Sequence, residues 1–437
     1  MIITILWWLI RIAVVSGVVA FLSTQEGYTG IEWMGWRVDI PTSILIGVII
    51  ILIASILWIS NLWRLFKEMP FKILKSINDR RQRNGYQALA YGLIASSAGD
   101  VEGAQKFASK AKRLLENRDL TEMLSAHATH LAGDRNAAKK YFQRLSQRET
   151  TAFHGHLGLM RLAVESANKI DALKHARKSS ILQPRNPQLT KMLVKMEAQS
   201  KNYLEAIDTL QRARRIGAIE EKEALPLAAA LNTALGQSAI EKNNLNDAQK
   251  YFSYALREKA DFIPAAVPLS KIYLSQGSSR KANNLLSKIW KLNPHPEIAN
   301  TFKIVWEEER PSGTIAKLIE VTEDNADSQA RLLIADAALK AGLTGEADGQ
   351  LNKVKPDDYN SFYFHLKSKV AEVNDDQAAL NIAMKNAYNA KRKHSWNCNS
   401  CGIASEIWEI SCKQCDSIGT LIWKSPPYIN NELDISN

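Results

Sequence analysis

The sequence has very little sulfur to spare: four cysteines in 437 residues, all between positions 398 and 415. A disulfide scaffold spread over the chain is therefore excluded, and any thiol chemistry belongs to one short C-terminal segment. A P-loop, a nucleophile elbow and a Gly-x-Gly-x-x-Gly following a strand are missing too, so phosphate-cradling and serine-hydrolase sites are not expected. No Cys-x-x-Cys-His occurs, which excludes covalent c-type haem attachment. Strand-like alternation is nearly absent from the middle of the chain. The formal net charge of +11 suits an anionic partner. The bases are dispersed, however, and no RNP, homeodomain-like or two-histidine zinc-finger pattern appears. Nucleic acid is not the expected partner; an anionic lipid surface is.

What the chain does have begins at its N-terminus. Ile2 to Leu22 is apolar over about one bilayer thickness, and Ser43 to Trp58, continuing towards Leu65, is a second and cleaner stretch. Residues 1–66 therefore read as two transmembrane helices joined by a short loop. That loop carries Glu26, Glu32 and Asp39 against Arg37 alone. After the second span come Arg64, Lys67, Lys72, Lys75, Arg80, Arg81 and Arg83. Positive charge stays on the cytoplasmic side, so both termini are expected there, with the loop outside and 67–85 a basic neck at the headgroups. Arg11 lies inside the first span. It either contacts a partner helix or anionic ligand, or reaches back past Trp7 and Trp8 to the headgroups.

The middle of the chain repeats. An alanine recurs at Ala104, Ala138, Ala172, Ala206, Ala248 and Ala282, at intervals of 34, 34, 34, 42 and 34. Twelve residues earlier the position is small at Gly92, Ala126, Gly236 and Ser270, while Met160 and Val194 depart from the pattern. Two helices of about a dozen residues joined by a tight turn fill such a period, and small residues sit where paired helices cross. The pattern resembles the tetratricopeptide repeat over 86–310. Degenerate helical pairs are expected over 311–390, and the 42-residue step implies a longer helix or loop near Ile216 to Leu227. Stacked repeats offer a curved inner surface that usually grips a protein segment, so a catalytic role is not expected. His127 and His130 share a helix face, and His154 opens the next repeat. In that register the three face the groove, either as haem or metal ligands or as polar lining. His175, His295, His365 and His394 read as isolated surface or cap residues.

The cysteines are spaced Cys398-x2-Cys401-x10-Cys412-x2-Cys415. In a reducing cytoplasm two disulfides are not expected. Each Cys-x-x-Cys turn gives two thiolates to a tetrahedral site, closed at four ligands and hence structural. Zinc is favoured, with a rubredoxin-like iron as the alternative. Ile407 to Ile410 and Thr420 to Trp423 read as short strands, and Lys391-Arg-Lys393 as a linker to a knuckle over 391–437. So small a module depends on its metal.

Two spans, a basic neck and a repeat array together resemble the bacterial HemY-type proteins, as does the loop Glu26-Gly-Tyr-Thr-Gly-Ile-Glu-Trp-Met-Gly-Trp36. The resemblance covers residues 1 to about 390. It implies a multi-pass protein of the bacterial inner membrane associated with late protohaem synthesis. The knuckle resembles the tail of some HemY-type members, and the rubredoxin-like module of LapB-type proteins, which have one span and regulate lipopolysaccharide assembly. The expected function is a non-enzymatic scaffold that binds protein partners, among them late haem-synthesis enzymes. The alternatives are a haem or porphyrin carrier using groove histidines, and a LapB-like quality-control adaptor.

Overall fold

The computed structural model describes residues 9–10, 13–14, 16–18, 20–21, 24, 27–306, 310–322 and 327–426. It divides into two units, Met1–Ala132 and Gly133–Asn437.

The first unit opens with an antiparallel hairpin, β1 (Tyr28–Trp33) and β2 (Trp36–Pro41). Its two-residue turn is Met34-Gly35, with φ of 50° and 86°. Both values suit the primed turns whose twist matches that of paired strands. The loop expected between the spans is thus folded. α1 (Thr42–Ser97) follows at once as a single 56-residue helix. Its segment Thr42–Ser60 is long and apolar enough to cross a membrane, the only such helix among the described residues. At 1.5 Å per residue those 19 residues reach roughly 28 Å, about the hydrocarbon thickness. Two spans were expected; Arg11 and much of Ile2 to Leu22 lie outside the described residues. The basic stretch 67–85 is part of α1 and helical throughout.

At its far end α1 becomes the first helix of the repeats. Gly99, at φ 77°, turns the chain, and the Asp100 carboxylate accepts from the Gly103 N–H at 2.9 Å to start α2 (Val101–Leu114). That capping bond satisfies an N–H the helix cannot use internally. α3 (Arg118–Leu131) completes the unit. The small residue at position 92 has a steric cause: a Cβ there would stand 2.6 Å from Leu124 Cδ2.

The second unit stacks helical hairpins. α4 (Arg135–Ser146) is followed by α5 (Ala152–Glu165), α6 (Lys169–Leu182), α7 (Pro187–Gln199), α8 (Tyr203–Arg215), α9 (Glu221–Glu241), α10 (Leu245–Glu258), α11 (Ile263–Ser275), α12 (Ser279–Leu292) and α13 (Pro296–Trp306). Then come α14 (Pro311–Thr322), α15 (Ser328–Lys340), α16 (Thr344–Leu351), α17 (Ser361–Val373) and α18 (Gln377–Asn389). The recurring alanines begin the second helix of each hairpin and are buried in every copy. Gly158 lets Phe142 approach, and Gly236 lets Phe252 approach. Where Met160 and Val194 replace the small residue, each is buried instead. The 42-residue step is taken up by α9, which is 21 residues long. The chain is thus an all-α array of tetratricopeptide-like hairpins carrying a small C-terminal sheet.

That sheet is β3 (Ser395–Cys398), β4 (Ala404–Ser405) and β5 (Leu421–Lys424), antiparallel in the order β4-β3-β5. The strand expected at Ile407 to Ile410 is not formed. Trp408 turns inward there to pack edge-on against Phe262, with ring centroids 5.5 Å apart, and that contact replaces a ladder. Nor does Lys391 hang free: its carbonyl accepts from the Ser361 N–H at 2.7 Å, and its ammonium reaches the Asp357 carbonyl at 3.3 Å.

Candidate metal centre and the groove it occupies

All four cysteines converge. Their sulfurs lie within 4.8 Å of one another, with Cys398 Sγ to Cys415 Sγ and Cys401 Sγ to Cys412 Sγ both 3.7 Å. Four thiolates about 2.3 Å from a tetrahedral ion stand roughly 3.8 Å apart, so the donor set fits a closed S4 site. The backbone makes this spacing from two similar turns. The Gly402 N–H donates to the Cys398 carbonyl at 2.8 Å, and the Asp416 N–H donates to the Cys412 carbonyl at 2.9 Å. Gly402 has φ 75° and Asp416 φ 53°; the second turn bends as the first does without a glycine. Burial pushes the Cys398 thiol up. Hydrogen bonds from Thr420 and from the backbone of Cys401 and Ser400 outweigh it and bring the group down to about 6. A thiolate is thereby favoured, and the thiolate is the metal ligand.

The knuckle is not an appendage. It lies mainly against the first helices of successive hairpins, α7, α9, α11 and α13, and touches the start of α6. Gly419 approaches Leu227 and Ala230 of α9 so closely that a Cβ would meet both at 3.3 Å. Asp416 accepts from Lys169 at 3.4 Å through its carboxylate and from Gln199 at 3.0 Å through its carbonyl. Trp396, Trp408 and Leu421 are buried in one continuous core with α11, α13 and α15. Part of the groove surface is therefore already covered by the chain's own C-terminal module.

At that junction sits His295, expected as an isolated surface or cap residue; it does cap the start of α13, but it is not at the surface. His295 is 2% exposed and lies between Trp396 and Trp423, at 5.4 and 4.2 Å between centroids. Its Nδ1 accepts from the Glu297 N–H at 3.1 Å, so the neutral tautomer carries its proton on Nε2. Desolvation brings its pKa down to about 3. His175 is not isolated either. Its Nδ1 stands 3.1 Å from that of His156, and burial, with the charge of Lys178 adding to it, lowers both. No sequence period marks these contacts.

His127 and His130 lie one turn apart on α3 in the first unit, and both are partly buried; His154 lies exposed on α5 in the second. Neither unit contains all three. Beside the knuckle, the first-helix face stays open between α5 and α7. A cavity of about 930 Å³ there is lined by Met160, Met192, Met196 and Val164, with Arg161 and Lys195 among its charged residues. The floor is of pliant thioethers, which adapt to apolar shapes of different kinds.

The family model described as HemY protein N-terminus matches residues 27–133, so the HemY-type resemblance holds for that region. Among curated proteins, the chain is 24% identical over 428 residues to the Probable magnetosome protein Mms48 of Magnetospirillum gryphiswaldense, covering 92% of this chain and 89% of that one. Among solved structures it is similar to Naa15/Naa10 bound to HypK-THB, at 10% identity and TM-score 0.33, covering 70% of this chain and 63% of that one. It is also similar to a tetratricopeptide repeat protein from Parabacteroides merdae, at 13% identity and TM-score 0.26, covering 55% of this chain and 93% of that one. Those scores are low, and the architecture rests on the helical pairs themselves.

Proposed function

We propose that this chain, HemY-type in its N-terminal region, is a non-catalytic adaptor anchored in the bacterial inner membrane. Its repeats hold a protein partner on the cytoplasmic side. One observation carries the reading: the hollow face is divided between a docked knuckle and an open, methionine-lined cleft between α5 and α7. The knuckle covers one stretch, and the cleft is offered to a partner. Cys398, Cys401, Cys412 and Cys415 hold a structural metal, zinc in the favoured case and iron otherwise. Arg11, outside the described residues, is assigned to a partner helix, an anionic ligand or the headgroups. The HemY-type likeness of residues 27–133 supports late enzymes of protohaem synthesis as the partners to look for.

A photo-crosslinking residue at Met192, in cells expressing the full chain, tests the reading. Adducts with porphyrin-synthesis enzymes support it. Adducts with lipopolysaccharide enzymes move it to the LapB-like reading, and an absence of adducts removes the cleft as a docking surface. A second reading has its own support. The likeness to the Probable magnetosome protein Mms48, over nearly the whole chain, supports a magnetosome-related role for the same adaptor. Adducts with other magnetosome proteins would favour it. The carrier reading, with His127, His130 or His154 on haem, stands or falls on a Soret band that those histidines control.

A further inference from the structure

The hairpin ahead of the spanning helix has one apolar and one polar face. Its register sets Thr29 against Ile40, Ile31 against Val38 and Trp33 against Trp36. Directly opposed residues share a face, and so do residues two apart, so these six lie together. The other face carries Gly30, Glu32, Arg37 and Asp39, with Tyr28 and Pro41 at its base beside α1, and Arg37 is paired to Glu32 at 3.8 Å and to Asp39 at 3.4 Å. The charges are thus satisfied on one side, while Trp33 and Trp36 are each nearly four-fifths exposed on the other and Met34 at the tip is 92% exposed. A lone two-stranded hairpin is marginal in water. This one also leaves its apolar side bare.

We infer that the apolar face of β1–β2 lies on the lipid surface, in the headgroup and upper acyl zone of the leaflet where α1 begins. Three observations select lipid over a protein as its cover. First, the hairpin is fixed to the start of the span. The Thr42 N–H donates to the Gly27 carbonyl at 2.9 Å, and the Thr29 and Thr42 hydroxyls meet at 2.9 Å. β2 runs into α1 without a linker. The face therefore never leaves the neighbourhood of the bilayer. Second, its largest residues are a tryptophan pair, the side chain that prefers the membrane–water boundary. Third, the ion-paired face opposite is suited to water, as in amphipathic elements that lie in the membrane plane. The hairpin would then be a foot beside the span, resisting its sinking or tilting.

The inference rests on α1 spanning the membrane, and the test separates the two. The full chain with its cysteines zinc-loaded is reconstituted in phosphatidylglycerol–phosphatidylethanolamine vesicles. A nitroxide is placed at Met34→Cys or, as a control, at Ile51→Cys. Power saturation then compares dissolved oxygen, which concentrates in lipid, with a water-soluble nickel chelate. Oxygen-dominated relaxation at both positions is expected. Trp33→Ser with Trp36→Ser should shift position 34 to nickel-dominated relaxation and leave position 51 unchanged. Nickel-dominated relaxation at 34 with oxygen-dominated relaxation at 51 overturns the inference and leaves the face to a protein partner. Nickel-dominated relaxation at 51 overturns the anchoring itself. Failure of the tryptophan variant to change position 34 overturns the role given to that pair.

Discussion

Acidification should loosen the knuckle from the repeats through His295. The ring is 2% exposed between two tryptophans, and burial brings its pKa from an ordinary 6.5 to about 3. Because the folded value lies below the unfolded one, the fold favours neutral imidazole. The stabilisation is complete above about pH 6.5 and is lost as the pH falls towards about 3. At about 1.4 kcal/mol per pH unit, the full span is worth about 5 kcal/mol. By pH 5, where the unfolded imidazole is protonated and the buried one is not, about 2 kcal/mol has gone. Tryptophan-fluorescence melts at pH 7 and pH 5 read this by comparison of variants, Trp396 and Trp423 being two of the chain's eleven tryptophans. The wild-type midpoint should fall by about 4 °C more than that of His295→Phe. The phenylalanine variant keeps an aromatic ring between the tryptophans and loses the bond from the Glu297 N–H, so it starts lower but responds less to pH. Acid release of metal from the cysteines affects both proteins and cancels in the comparison. Parallel curves for the two proteins would refute the reasoning.

The remaining expectations concern packing. Gly155→Ala places a Cβ 2.2 Å from the Ser146 backbone nitrogen, where nothing flexible can yield; it should cost at least about 3 kcal/mol in urea melts. Gly345→Ala meets nothing within 4 Å, and within the α16 helix it should be neutral or stabilising by up to about 1 kcal/mol. Trp408→Ala removes the edge contact to Phe262 and should cost about 3 kcal/mol, seen as earlier protease cleavage between residues 391 and 426. Stripping the metal with a chelator should speed amide exchange in β3 and β5 and also around Phe262 and His295, because knuckle and repeats share one core. Exchange that quickens in the strands alone would mean that the two fold independently.

The repeats were legible because their cause is local and periodic. Where two helices cross closely a side chain must be small, and the spacing of Ala104, Ala138, Ala172 and Ala206 records that constraint four times. The longer α9 could be foreseen from the 42-residue step because an insertion in a periodic array has few places to go. The convergence of the four cysteines was legible for a similar reason: Cys-x-x-Cys encodes its own turn. The β1–β2 hairpin was missed as structure. Met34-Gly35 is a short turn signal, and the apolar residues flanking it read equally well as the aromatic trim of a membrane loop.

What the sequence could not disclose is where the knuckle goes. Trp396, Trp408 and Trp423 need a cover that a module of some forty residues cannot supply from within. That cover comes from α9, Phe262 and His295, over a hundred residues earlier in the chain. His295 shows how a residue read correctly as a cap can still be misread for exposure. It stands at the mouth of α13, where the repeat pattern predicts solvent, and the knuckle arrives from elsewhere to bury it. The same logic bears on function. A groove read from the repeats alone would be open along its length. The docked knuckle leaves the surface between α5 and α7 uncovered, bounded at one side by Lys169 and Gln199 in their contacts with Asp416. A partner that reaches further must either contact the knuckle or displace it. A metal bound by the four cysteines would bear on that choice, because it would hold the knuckle in the shape that fits the repeats.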